Sequence, residues 1–193
     1  MTRRVVVALL VFGALALAVW RAELFTVQKP GEEPRALTAI PVSERRLVVA
    51  DAVLPAVPVG MRRLRAGDGV TLIHYWAPWQ KDAEAQAAAL DSLAHLEELA
   101  GLRVAIVCFD PFPSVARYVA RRGLRLGVLL DPEHALRKAL PCPIIPYTYV
   151  LDRNGSLAVS QPGEVSWLDP RTRRVIGELL GTAAPMTSAH PTI

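Results

Sequence analysis

Apolar runs and polar breaks alternate along most of the chain in a pattern that predicts a layered α/β domain. Residues 70–75 form a β-type apolar run, Val-Thr-Leu-Ile-His-Tyr. After it Ala83, Ala87, Leu90, Leu93, Ala94 and Leu96 recur at helical spacing, and Gly101 stops the helix. Residues 104–109 are continuously apolar, as in a strand buried on both faces, which implies a parallel sheet covered by helices. The alternation then repeats, with Asp110-Pro111-Phe112-Pro113 as a loop, 114–122 as a helix stopped at Gly123, and 126–130 as a strand. Asp131-Pro132 opens a short helix, with Asp at the N-cap and Pro at the first helical position. Asp152-Arg153-Asn154-Gly155 reads as a hairpin turn in which Asn154 and Gly155 both take positive φ, so that 157–159 returns as an antiparallel strand. A last helix runs from the cap Asp169-Pro170 to Gly181. The expected architecture is a central mixed sheet with helices on both faces.

The first predicted strand runs into Trp76-Ala77-Pro78-Trp79-Gln80-Lys81-Asp82-Ala83. This string resembles the Trp-Ala-x-Trp-Cys-x-x-Cys active-site frame of membrane-tethered thioredoxin-like proteins of the TlpA/ResA type, with Gln80 and Ala83 at the two cysteine positions. Ile144-Ile145-Pro146-Tyr147-Thr148-Tyr149-Val150-Leu151-Asp152 resembles the family's cis-proline segment. The resemblance covers roughly residues 49–180 and implies a thioredoxin-like fold with a cis Ile145–Pro146 bond facing the loop. In such proteins the first cysteine, at a helix N-terminus, attacks a substrate disulfide and the second resolves it. Neither Gln80 nor Ala83 can do so. The resemblance therefore implies a binding groove walled by Trp76, Pro78, Trp79, Gln80, Lys81, Ile145, Pro146 and Tyr147, with an extended polypeptide as its natural occupant. Gln80 can hydrogen-bond a ligand, Lys81 can attract an anion, and Asp82 suits the first turn of a helix.

Other candidate chemistry is sparse. His74 stands where thioredoxins carry a buried acid, and the expectation is a neutral histidine held by a hydrogen bond. Ala88 replaces a helix-kinking proline common among relatives, so the helix should be straighter. The only cysteines are Cys108, inside a predicted strand, and Cys142, four residues before the expected cis proline. The alternative to a binding module is a thiol-disulfide oxidoreductase acting through Cys142 alone or through a thiol borrowed from a partner, although no base adjoins Cys142 and no resolving thiol accompanies it. The two are expected not to pair, a buried strand and a loop at the sheet end being poorly placed for a bridge. Scattered histidines give no metal-ligand spacing, no glycine-rich phosphate loop is present, and no cofactor is expected.

The ends and the charge add context. Arg3 and Arg4 precede an uncharged run at 5–20, closed by Arg21. That suits a cleaved signal peptide or an uncleaved anchor within 1–21, and the small residues lying inside the run favour the anchor. The positive-inside rule then exports the domain to the periplasmic or extracellular side on a single pass. Residues 22–41 read as a linker, 42–181 as the domain and 182–193 as a disordered tail. Net charge is +4 in 193 residues, 52% of them hydrophobic. Arginine carries that charge, since Lys29, Lys81 and Lys138 are the only lysines. The clusters Arg62-Arg63-Arg65 and Arg171-Arg173-Arg174 read as solvated faces, and without basic-aromatic interleaving no nucleic-acid partner is expected.

Overall fold

The computed structural model describes residues 33–58 and 60–181. Seven strands form one sheet: β1 (Asp51–Val57), β2 (Met61–Arg65), β3 (Thr71–Tyr75), β4 (Arg103–Cys108), β5 (Val128–Leu130), β6 (Tyr147–Leu151) and β7 (Leu157–Pro162). Their order is β2-β1-β5-β4-β3-β6-β7. β4 pairs in parallel with both β3 and β5, and every other neighbouring pair is antiparallel. Three helices complete the core: α1 (Ala83–Leu93), α2 (Phe112–Arg122) and α3 (Pro170–Leu180).

Because side chains alternate across a sheet, each central strand feeds two cores. Leu72, Ile106, Val128 and Val150 point to one face, where they meet Leu90 and Leu93 of α1, Val115 and Val119 of α2, and Ile176 and Leu180 of α3. Ile73, Ala105, Val107 and Leu129 point to the other, against Leu54, Leu64, Leu136 and Leu140. Helices were expected on both faces; among the described residues all three α-helices contribute to the first core, and the second draws its helical contacts from the single 3-10 turn Leu136–Lys138. Asp131 explains the shortness of that turn. Its buried carboxylate accepts the N–H groups of Ala135 (2.6 Å) and Leu136 (3.0 Å) instead of capping a helix that starts at Pro132.

Several expectations need adjustment. α1 ends at Leu93, and a separate 3-10 turn, Glu97–Leu99, fills the approach to Gly101. In the β6–β7 hairpin only Gly155 has a positive φ, +80°. Asp152 makes a second left-handed residue unnecessary, because its Oδ1 accepts the N–H groups of Asn154 and Ser156, both at 2.9 Å. The β1–β2 hairpin was not foreseen. The described part of the expected linker, 33–41, is docked: Leu37 is buried, its N–H donates to Thr172 Oγ1 (3.1 Å), and Arg35 bridges to Val165. The expected anchor at 5–20, the rest of the linker and the tail at 182–193 lie outside the described residues. Among the described residues, no helix is long and apolar enough to cross a membrane.

Candidate functional site

β3 ends at Tyr75, paired in parallel with Val107 of β4 and antiparallel with Tyr147 of β6. The loop after β3 therefore leaves the sheet between the end of β4 and the start of β6. Trp76 anchors it. The Trp76 backbone N–H donates to Val107 O (2.9 Å), its indole is buried against Tyr118 with ring centroids 4.8 Å apart, and Nε1–H donates to Ala83 O (3.0 Å) in the first turn of α1. Between these ends the loop closes on itself. Ala77 N–H donates to Gln80 Oε1 (2.8 Å), Gln80 N–H donates back to Ala77 O (3.2 Å), and Ala83 N–H donates to Gln80 O (3.2 Å). The Gln80 carboxamide oxygen is thus engaged inside the loop. Asp82 is the N-cap residue of α1, but its side chain makes no cap hydrogen bond.

Trp79 is the exposed member of the loop, 68% accessible, with Nε1–H directed at Asp110 Oδ1 (3.4 Å) just beyond β4. On the other flank the Ile145–Pro146 peptide is cis, as expected. Pro146 O accepts Gly163 N–H (2.9 Å), and Tyr147 OH pairs with Ser160 Oγ (3.0 Å). Ile145 differs from both neighbours, because its backbone N–H and C=O make no hydrogen bond among the described residues. Glu164 follows Gly163, and burial together with the Asp82 charge raises its pKa, with Lys81 opposing. The charges of Lys81 and Asp82 are thus felt at the turn after β7.

His74 is fully buried in β3. Nδ1 and Thr148 Oγ1 are 3.0 Å apart, the ring meets the edge of Trp167 at 5.1 Å, and Nε2 has no partner among the described residues. Burial pushes its pKa down to about 3, so the ring is neutral, as expected, though it sits deep in the sheet with only one nitrogen satisfied.

The cysteines are free and lie on opposite faces of the sheet, Cys108 in the helix-covered core and Cys142 in the other. Asp110 N–H approaches Cys108 Sγ at 3.4 Å, and Cys142 Sγ–H donates to Ile144 O (3.1 Å). Burial pushes both thiols up to about 12, against the lowering effect of Arg137 at Cys142. Cys142 therefore lacks the exposure and thiolate character of a reactive thiol. Among the described residues no group of three or more histidine, cysteine or acidic side chains is placed to hold a metal ion.

No family model matches the chain. A 92-residue stretch, 47% of the chain, is 26% identical to the thiol-disulfide oxidoreductase ResA of Geobacillus kaustophilus, and the match spans about half of that relative, 52%. The ResA of Geobacillus thermodenitrificans is 25% identical over the same length. A secreted thiol-disulfide isomerase from Corynebacterium glutamicum superposes with a TM-score of 0.63 at 19% identity, covering 81% of this chain and 98% of that one. StoA from Bacillus subtilis superposes at 0.58 and 14% identity, covering 66% and 98%. The chain thus has a thioredoxin-like fold of the TlpA/ResA type.

Two outcomes follow. Neither cysteine of the native protein should react with iodoacetamide at mildly alkaline pH, whereas both should be alkylated after unfolding; mass spectrometry of the native sample counts them. His74 should contribute acid lability. Its unfolded form takes up a proton as pH falls below the ordinary 6.5, while the folded form resists down to about 3, so its stabilising neutral state is fully expressed above 6.5 and lost across that interval. Denaturant unfolding of His74→Leu should show a flatter stability profile between those limits than the wild type.

Proposed function

We propose that this is a membrane-tethered, exported thioredoxin-like domain whose redox dithiol has been replaced by Gln80 and Ala83 and which works by binding an extended polypeptide. The observation that carries this reading is the unpaired Ile145 backbone. An N–H and a C=O left free just before the first residue of β6 can pair with an incoming strand as an edge strand does. Exposed Trp79 supplies a rigid aromatic surface on the loop between β3 and α1. The loop meanwhile is held by Gln80 and Trp76 hydrogen bonds, with no thiol at either end. The thiol-disulfide chemistry named for the relatives has no accessible sulfur to use here, since Cys142 is buried with its pKa raised.

The full chain should not accelerate insulin reduction by dithiothreitol. Gln80→Cys with Ala83→Cys should gain partial activity, because a sulfur at 80 lies ahead of α1 and within its dipole field. Wild-type turnover abolished by Cys142→Ser would overturn the binding reading. Its positive test is the Ile145 amide resonance, which should shift on addition of extended peptides; an unmoved resonance with every peptide sinks the reading.

The tether rests on Arg3, Arg4 and the apolar run at 5–20. A reporter fused after Ile193 should be active outside the cytoplasm, and cytoplasmic activity would refute the orientation.

A further inference from the structure

A second opening adjoins the loop on the side away from Pro146. It is a cleft of about 420 Å³ between Pro78 and Trp79 on one wall and α2 on the other. α2 presents Ser114, Arg117, Tyr118 and Arg121 at spacings of three and four, one stripe of a helix. The charges in this cleft do not cancel. Arg122 is paired with Glu84 at 2.6 Å, and Asp110 is engaged by Trp79 Nε1. Arg117 uses Nε on Pro113 O (3.1 Å) and leaves its terminal nitrogens free, while Arg121 is exposed and has no acidic partner among the described residues. Two guanidinium groups without an ion-pair partner thus stand opposite an exposed indole, and although the Asp110 carboxylate lines the same cleft and offsets one of them, the cleft keeps a net positive charge. Tyr118 forms the floor, its hydroxyl buried without a partner.

We propose that this cleft takes the acidic part of the polypeptide bound at the Trp79 loop, so that the partner is recognised by carboxylates on alternate residues of an extended segment. The inference rests on the binding reading above and names the chemistry of its ligand. Charge complementarity selects the acidic class. Spacing admits an extended peptide, the form that backbone pairing at Ile145 requires: side chains four apart on a helix stand about 6 Å from each other, and those two apart on a strand stand about 6.6 Å apart. Alternate carboxylates of one strand therefore meet Arg117 and Arg121 together, while the intervening apolar side chains face Trp79. Arginine suits this task because its planar fork holds a carboxylate through two hydrogen bonds.

The test uses the full chain in detergent micelles, with calorimetry for affinity and the Ile145 amide resonance for location. The probes are short peptides alternating valine with glutamate, serine or lysine. The glutamate peptide should bind about tenfold more tightly than the serine peptide, the size expected of two ion pairs at a rim. That advantage should fall as salt rises and vanish in Arg117→Gln with Arg121→Gln, two exposed positions whose change leaves the melting temperature unaltered. Equal binding of glutamate and serine peptides, both shifting Ile145, overturns the acidic assignment and leaves the binding reading intact. Failure of every peptide to shift Ile145 removes both. Full displacement of the glutamate peptide by inorganic phosphate, or by phosphatidylglycerol vesicles but not neutral ones, would show an anion or lipid site and overturn the peptide.

Discussion

The Trp76 indole ties the end of β3 to the first turn of α1, and the candidate site depends on that tie. Its Nε1–H bond to Ala83 O spans the loop, and its ring fills the space under Tyr118, so sheet, loop and helix share one buried side chain. In a thioredoxin-like frame carrying two cysteines, a disulfide could cross-link positions 80 and 83. Here the Gln80 side chain and backbone bond Ala77 and Ala83 instead, through contacts each worth only about 1 kcal/mol net. Such a closure does not break when the redox environment changes. A loop held this way keeps one shape, which suits recognition better than electron transfer.

Burial decides which polar groups near the site can act. Cys108, Cys142 and His74 are the side chains best suited to proton or sulfur chemistry, and all three are removed from water, with pKa values displaced so as to keep each neutral. His74 has given up one hydrogen-bond partner to sit there, a cost covered by the apolar contacts of β3 on both faces. Among the described residues no thiol is exposed at the site, whereas Trp79 and the arginines of α2 are.

Much of this was legible in the sequence because local signals agreed with the tertiary environment. β3 and β4 are buried along almost their whole length and read as apolar runs, β6 lies in the segment that resembles the family's cis-proline stretch, and Asp169-Pro170 and Gly181 delimit α3 as their chemistry requires. The β1–β2 hairpin was hidden for physical reasons. Exposed Val53 and Pro55 blur the alternation of β1, Pro55 itself argues against a strand, and β2 buries only Leu64 among three arginines and a methionine. Docking of 33–41 depends on Thr172 and Gln161, more than a hundred residues away, and no local pattern announces such partners. The helix at 114–122 was read from its bounds, and the stripe of Ser114, Arg117, Tyr118 and Arg121 acquires a meaning only with Trp79 brought beside it. The free backbone of Ile145 has no sequence signal, because it is a bond that neighbouring elements do not make.

Both openings lie at the same end of the sheet for a topological reason. β3 and β4 run parallel, so the Trp76 loop and Asp110 emerge together at their carboxyl ends, while antiparallel β6 begins there. Open α/β sheets gather ligand sites at this end because the loops that leave parallel strands spread apart over it. Trp79 sits on one of these loops, and its hydrogen bond to Asp110 aims the indole toward α2. One aromatic side chain thereby borders the arginine-lined cleft on α2, while the Ile145 backbone lies at the start of antiparallel β6 at the same sheet end. Backbone pairing alone is indifferent to sequence, and exposed charge alone is weak and screened by salt. Combined along the proposed extended ligand, they would differ in role, the first setting its direction and the second selecting its side chains.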